Sequence, residues 1–202
     1  MLQVAFFVGA FFVGSVPFGY IVAKSKGIDI RKFGSGNIGA TNVKRALGEK
    51  LGLLVLVLDT LKGFLSAFLA TSILGSQELG FLVGLTAVLG HCFSPFLQFR
   101  GGKGISTGLG ALLGAAWMVG VSSFVLFALT LALTRYVSVA SIAAGASLVV
   151  FGWIYHQPQL MLTAFSAFGV FVILRHRANI GRLIKGAEPR FAWKNNPKDG
   201  PS

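Results

Sequence analysis

Ile105–Thr134 reads ISTGLGALLGAAWMVGVSSFVLFALTLALT, an apolar run of 30 residues. As one α-helix it would be about 45 Å long, well beyond a hydrocarbon core of about 30 Å. Two shorter helices meeting near Gly114–Gly120 fit a bilayer better, and one long tilted helix is the alternative. The choice decides how the rest of the chain threads the membrane.

The flanking sequence sets the same scene. Further spans are expected at Leu2–Ala23, Leu51–Leu74, Leu79–Phe99, Val137–Tyr155 and Gln159–Leu174. Of the 202 residues 54% are hydrophobic and only 12% are charged, about half the share of a soluble domain. Mean hydropathy is +0.75. Every span should be helical, because lipid offers the backbone no water to bond. The short alternating segments of a β-barrel are missing. Met1–Val22 lacks the positive start and cleavage site of a secretory signal and reads as the first span. The expected fold class is an all-α polytopic membrane protein, with a single transmembrane domain over residues 1–194 and a disordered tail over 195–202.

Lysine and arginine give the orientation. Arg31, Lys32, Lys44, Arg45 and Lys50 lie between the first two spans, and Arg100 and Lys103 follow the third. Arg175, Arg177, Arg182 and Lys185 follow the last, whereas the links at Ser76–Glu78 and His156–Pro158 hold neither lysine nor arginine. Basic links stay in the cytoplasm. Six spans would strand the basic tail on the opposite side from the other basic links. Splitting Ile105–Thr134 gives seven, and every basic link, Arg135 included, then faces the cytoplasm with the N-terminus outside.

The net charge of +12 points to an anionic partner. Nucleic acid is excluded as that partner, since the basic residues punctuate membrane segments and build no soluble domain. Cys92 is the only cysteine, so no internal disulfide is possible, and no Cys/His spacing suits zinc. Neither a metal nor a cofactor is indicated.

The polar chemistry gathers in three islands on the expected cytoplasmic side. The first is FGSGNIGATN, Phe33–Asn42, followed by Arg45. Its Gly34, Gly36 and Gly39 make a literal G-x-G-x-x-G, but a dinucleotide fold needs a strand before it, and here membrane spans flank it. The glycines still let backbone N–H groups converge on an anion. The second island is HCFSPFLQFRGGKGIST, His91–Thr107, where Gly101, Gly102 and Gly104 surround Lys103. It lacks Walker A spacing. His91 is either a hydrogen-bonded structural residue or part of a site. The third is RHRANIGRLIKGAE, Arg175–Glu188. On a helix His176 and Asn179 share a face, while Arg182 and Lys185 fit either the site or anionic headgroups. Two further features stand apart. Asp59 and Lys62, at i and i+3 within a span, read as an internal ion pair. Ser138 and Ser141 are expected to bond the helix backbone, with Ser141 able to face the site.

Through GSGNIGATN, LDTLKG (Leu58–Gly63), GHCFSPFLQFRGGKGIST (Gly90–Thr107) and RHRANIGRLIKGAE, the chain resembles the bacterial membrane glycerol-3-phosphate acyltransferases that use acyl phosphate as donor. The resemblance covers nearly the whole chain. It implies seven spans with the motifs on the cytoplasmic side of the bacterial inner membrane. It also implies the reaction: acyl phosphate plus glycerol 3-phosphate gives 1-acylglycerol 3-phosphate and phosphate.

Both substrates carry phosphate, so the site must hold two anions close together against their repulsion. Arg45 and Lys103 are the first candidates for the cations, and Ser35, Asn37, Asn42 and Asn179 can bond phosphate oxygens or glycerol hydroxyls. The expected catalytic set is Ser35, Arg45, Lys103, His176 and Asn179. The expected binding set is Gly34, Gly36, Asn37, Gly39, Thr41, Asn42, His91, Gly101, Gly102, Gly104, Ser141 and Glu188. An H-x-x-x-x-D acyltransferase motif is missing: His91, His156 and His176 are followed at that spacing by Phe96, Met161 and Gly181. Neither Cys92 nor Ser35 has an evident activating partner. The glycerol 1-hydroxyl is therefore the expected nucleophile, with a substrate phosphate oxygen taking its proton. A monomer is expected. The rivals are a transporter of an organic phosphate, a structural lipid-binding protein and an acyltransferase with a thioester donor. No internal repeat supports the transporter, and lipid binding leaves the glycine loops unexplained.

Overall fold

The computed structural model describes residues 1–192; the expected disordered tail at 195–202 lies outside the described residues. The elements are α1 (Leu2–Ser15), α2 (Phe18–Lys24), α3 (Ala40–Leu47), α4 (Glu49–Leu74), α5 (Gln77–Cys92), α6 (Ile105–Ala115), α7 (Trp117–Thr134), α8 (Val137–Ile154), α9 (Gln159–Arg175) and α10 (Arg177–Ile184). Leu2–Lys24, Glu49–Leu74, Gln77–Leu97, Trp117–Thr134 and Val137–Ile154 are long and apolar enough to cross a membrane. Gln159–Arg175 and Arg177–Ile184 add a sixth candidate across a 54° bend, and Ile105–Ala115 is a shorter apolar helix. Exposed Leu53, Leu61, Ile73, Val125, Val150 and Trp153 form the kind of outer surface that lipid covers.

The first expected span is interrupted. Pro17 has no N–H, and its ring blocks the turn before it, so α1 ends and α2 restarts. Two carbonyls freed at this break find partners at depth: Ser94 Oγ donates to Ser15 O at 2.6 Å, and Lys62 Nζ donates to Val16 O at 2.9 Å. Irregular backbone inside a membrane is tolerated when protein satisfies it in this way.

Ile105–Thr134 is two helices, broken at Ala116 within the expected interval. α7 doubles back on α6, bringing Gly120 against Leu112. Ala115 O, at the turn, accepts from Gln77 Nε2 at the start of α5. The open ends return to the opposite face. Lys103, just before α6, bonds Asn179, and Arg135, just after α7, accepts from Phe191 N at its carbonyl and donates from its guanidinium to Phe191 O, in the tail segment that carries Glu188.

α4 and α6 run parallel and nearly touch. A Cβ at Gly63 would fall on Thr107 O, and one at Gly110 on Thr60 O. Small residues are what such close packing requires in lipid, where no hydrophobic force drives helices together. Phe81, Leu148, Met161 and Phe165 fill the centre, with the Phe81 and Phe165 rings 5.0 Å apart edge to face. The registry places Thr107 beside Gly63, so the Gly101–Gly104 loop lies just above Asp59 and Lys62, recessed below the start of α4.

Candidate active site

The first island is held by Asn42, buried on α3. Its amide donates to Ile30 O, Phe33 O and Asn37 O at 3.2, 2.9 and 2.9 Å, and its Oδ1 accepts from Ser35 N at 3.1 Å. Gly34 and Gly36 turn the loop with φ of +55° and +69°. Asn37 Oδ1 accepts from Gly39 N at 3.0 Å and so closes the loop onto the start of α3. Gly39, Ala40 and Thr41 line a cavity there, presenting the N-terminal amides of α3 to it. Asn42, expected as a binding residue, spends its side chain on the loop.

The cavity measures about 390 Å³. Its polar end gathers Ser35, Asn37, Lys44, Arg45, Lys103, Gly104, His176, Asn179, Arg182 and Glu188. Its other end runs between helices past Leu53, Leu56, Leu109, Leu112, Phe124, Phe127, Leu131 and Leu148. A second space of about 230 Å³ lies against Ser35, Gly36, Asn37, Gly101, Lys103, Arg175 and Arg177. The three islands therefore meet, with Ser35, Asn37 and Lys103 forming a wall common to both spaces.

Asn179 links the charges. Lys103 Nζ donates to its Oδ1, and its Nδ2 donates to Glu188 Oε1 at 2.7 Å. Glu188 Oε1 also accepts from Ser138 Oγ at 2.8 Å, and Oε2 from Arg182 Nε at 2.8 Å. Burial alone would raise the Glu188 carboxyl, but the bonds from Asn179, Ser138 and Arg182 outweigh it and hold the group below the usual carboxylate range. Burial lowers Lys103 to about 8; Glu188 opposes this, while Arg182, Arg45 and Arg175 add to it. Arg45 reaches Pro189 O at 3.5 Å.

His176 is the buried C-cap of α9, at the bend into α10. A carbonyl only accepts, so the 2.8 Å contact of Nδ1 with Val172 O places the ring proton on Nδ1 and a lone pair on Nε2. Burial lowers this histidine to about 4; the Val172 bond opposes that, and Lys103 reinforces it. It is neutral near pH 7, suited to accepting a hydrogen bond.

Other expected residues occupy different stations. Gly102 lies behind the cavity wall, its carbonyl accepting from Arg175 and its Cα against the His91 ring. Gly34 abuts Asn42 Oδ1. His91 lines the cavity but is 4% exposed, with Nδ1 on Lys62 Nζ at 2.9 Å. Lys62 lies 2.8 Å from Asp59, the expected ion pair. Ser141 bonds Val137 O at 2.8 Å and also faces the cavity. Ser138 differs from expectation: it bonds Glu188 in place of the helix backbone, because the tail carries the carboxylate over the start of α8. Sequence reasoning left Arg182 undecided and missed Arg175, Arg177 and Phe191. The apolar wall had no signal, since its residues are spaced like any lipid-facing stripe. Among the described residues no three His, Cys, Asp or Glu side chains gather as a metal site.

The comparisons fit this geometry. A family model described as glycerol-3-phosphate acyltransferase matches residues 4–186. The glycerol-3-phosphate acyltransferase of Aquifex aeolicus is 45% identical over 184 residues, covering 90% of this chain and 95% of the relative. That of a Synechococcus strain is 46% identical over 192 residues, covering 94% and 96%. The crystal structure of PlsY, an integral membrane glycerol 3-phosphate acyltransferase, in its glycerol 3-phosphate form superposes with a TM-score of 0.91 at 42% identity, covering 95% of this chain and 96% of that one. The lysophosphatidic acid form gives 0.88 at 41% identity, over 95% and 96%. This helical membrane chain, matched over nearly its whole length, belongs to the glycerol-3-phosphate acyltransferase family.

Proposed function

We propose that the protein transfers an acyl group from acyl phosphate to the 1-hydroxyl of glycerol 3-phosphate, giving 1-acylglycerol 3-phosphate (lysophosphatidic acid) and phosphate. The observation that carries this reading is the cavity itself: a polar end rich in cations, continuous with an apolar channel between helices. A phosphate head with an acyl tail fits that shape, and the neighbouring space on the other side of Lys103 leaves room for a second phosphate. The forms in which the PlsY relatives were crystallised, with glycerol 3-phosphate and with lysophosphatidic acid, support the acceptor and the product.

In this reading Lys103, Arg45 and Arg182 neutralise the phosphates, and the amides of Ala40 and Thr41 add donors. Ser35, Asn37 and Asn179 bond phosphate oxygens or glycerol hydroxyls. Nε2 of His176 accepts from the glycerol and orients it. The glycerol oxygen attacks the acyl carbonyl, the C–O bond to phosphate breaks, and a phosphate oxygen carries away the hydroxyl proton. A histidine lowered to about 4 is a weak base, which favours the phosphate in that role. The rate then comes from positioning and charge stabilisation of an already activated donor.

The same proposal covers topology. α1 with α2, then α4, α5, α6, α7, α8 and α9, make seven crossings of the bacterial inner membrane, and the basic links beside the cavity support a cytoplasmic active site under the positive-inside rule. The N-terminus is outside, the C-terminus inside, and the protein acts as a monomer.

The test is purified protein in detergent with glycerol 3-phosphate and either acyl phosphate or an acyl thioester, assayed for phosphate release and lysophosphatidic acid. Glycerol-3-phosphate-dependent release of phosphate, one per product, is the expected result with acyl phosphate. Turnover with the thioester alone would reassign the donor, and no turnover with either would refute the reading.

A further inference from the structure

Beneath the Gly101–Gly104 loop lies a buried cluster that borders the cavity through Asp59 and His91 but has no direct part in the proposed reaction. Asp59, Lys62 and His91 are 2%, 3% and 4% exposed. Lys62 Nζ lies 2.8 Å from Asp59 Oδ1 and donates to Val16 O at 2.9 Å. Its 2.9 Å contact with His91 Nδ1 fixes the tautomer, because an ammonium only donates: Nδ1 must accept, and the ring proton sits on Nε2. That edge of the ring lies against Gly102, where an added Cβ would strike Nε2. His91 also grips the loop through its backbone, its carbonyl accepting from Gly102 N at 3.1 Å, while Cys92 O accepts from Gly101 N at 3.0 Å. On the far side Arg175 donates to Gly102 O. Gly102 is thus clamped between a histidine ring and an arginine, one residue from Lys103.

An ion pair buried in a membrane span is costly, and for structure alone an apolar pair of similar volume packs as well or better. Here its cation orients an imidazole, and the imidazole supports the loop. We infer that Asp59, Lys62 and His91 are positioning residues, which lock the Gly101–Gly104 loop from below and so set where Lys103 meets phosphate. The inference rests on the proposed reaction for its kinetic consequence but not for its structural one. Supporting groups of this kind typically change affinity or activity by about 10–100-fold.

Two variants test it. Asp59→Asn/Lys62→Met removes both charges together, leaving no orphaned ion, and His91→Phe keeps a ring but no acceptor for Lys62. Amide hydrogen exchange is measured at 101–104 in substrate-free protein, with KM and kcat for glycerol 3-phosphate alongside. The expected result is folded protein in which those amides exchange about tenfold faster or more, while α6 and α9 exchange as before. KM should rise about tenfold or more with a smaller change in kcat, and His91→Gln, which restores an acceptor, should recover most of the loss. Folded variants with unchanged exchange and KM would overturn the inference. So would failure of both to fold, since the cluster would then serve packing alone. Because exchange is read without substrate, it stands even where the assay of the parent protein rejects the proposed reaction.

Discussion

In the proposed reaction Lys103 is the residue on which phosphate binding turns. Burial holds it at about 8, so it loses its charge within an accessible range. Below that pH it is an ammonium that attracts phosphate; above it, a neutral amine. The free-enzyme profile, kcat/KM for glycerol 3-phosphate against pH, should therefore fall as pH rises through about 8. Lys103→Arg, charged throughout, should lose that alkaline limb. Lys103→Ala and Arg45→Ala should each lower kcat/KM by about 10–100-fold, the worth of a charged hydrogen bond of about 1.5–3 kcal/mol. Near-normal kinetics in either would remove that residue from the site. His176→Gln should keep measurable turnover, since its acceptor role survives; complete loss of kcat with substrate affinity intact would make the histidine a base. Asn42→Ala should act through the loop. It removes all four bonds: Ile30 O and Phe33 O keep the backbone donors Phe33 N and Gly36 N, whereas Asn37 O and Ser35 N lose their partner, at about 0.5–1.5 kcal/mol for each bond lost. A fall in Tm with a rise in KM is expected, and an unchanged Tm would contradict it.

Among the elements, the α6–α7 pair carries the most consequence. If both cross the membrane, Trp117 emerges on the side of Ser76 and Gln157, opposite Lys50. Single cysteines at these four positions, with Cys92 buried and silent, can be labelled in intact cells by a membrane-impermeant maleimide. Labelling is expected at 76, 117 and 157 and not at 50; protection at 117 would show that the hairpin does not reach the outer surface. The break near Ala116 was legible because an apolar run too long for a bilayer must tilt or fold, and the basic links favoured folding over one long tilted helix. The interruption at Pro17 was not foreseen within Leu2–Ala23, since membrane helices tolerate proline where neighbouring groups satisfy the freed backbone. The three polar islands stood out because glycine beside lysine and asparagine is costly in a membrane segment. What each residue does within them did not. Asn42 and Asn37 look alike in sequence, yet one braces the loop from within through four bonds and the other only closes it onto Gly39, just before α3, at the cavity wall. Ser138 met Glu188 across fifty positions, a pairing no local pattern encodes.

At the scale of the whole molecule, the proposed reaction has the chain hold two phosphates on either side of Lys103 at the same moment, so that the acyl group passes directly between them. Among the described residues neither the Cys92 thiol nor the Ser35 hydroxyl is hydrogen-bonded to a base that would make it a nucleophile, and the two spaces share a wall. The initial-rate pattern tests this most directly, with acyl phosphate and glycerol 3-phosphate varied against one another in purified protein. The account predicts intersecting reciprocal plots, the mark of a complex with both substrates bound, and no exchange of labelled phosphate into acyl phosphate without glycerol 3-phosphate. Parallel plots with such exchange would mean an acyl-enzyme intermediate and would contradict it.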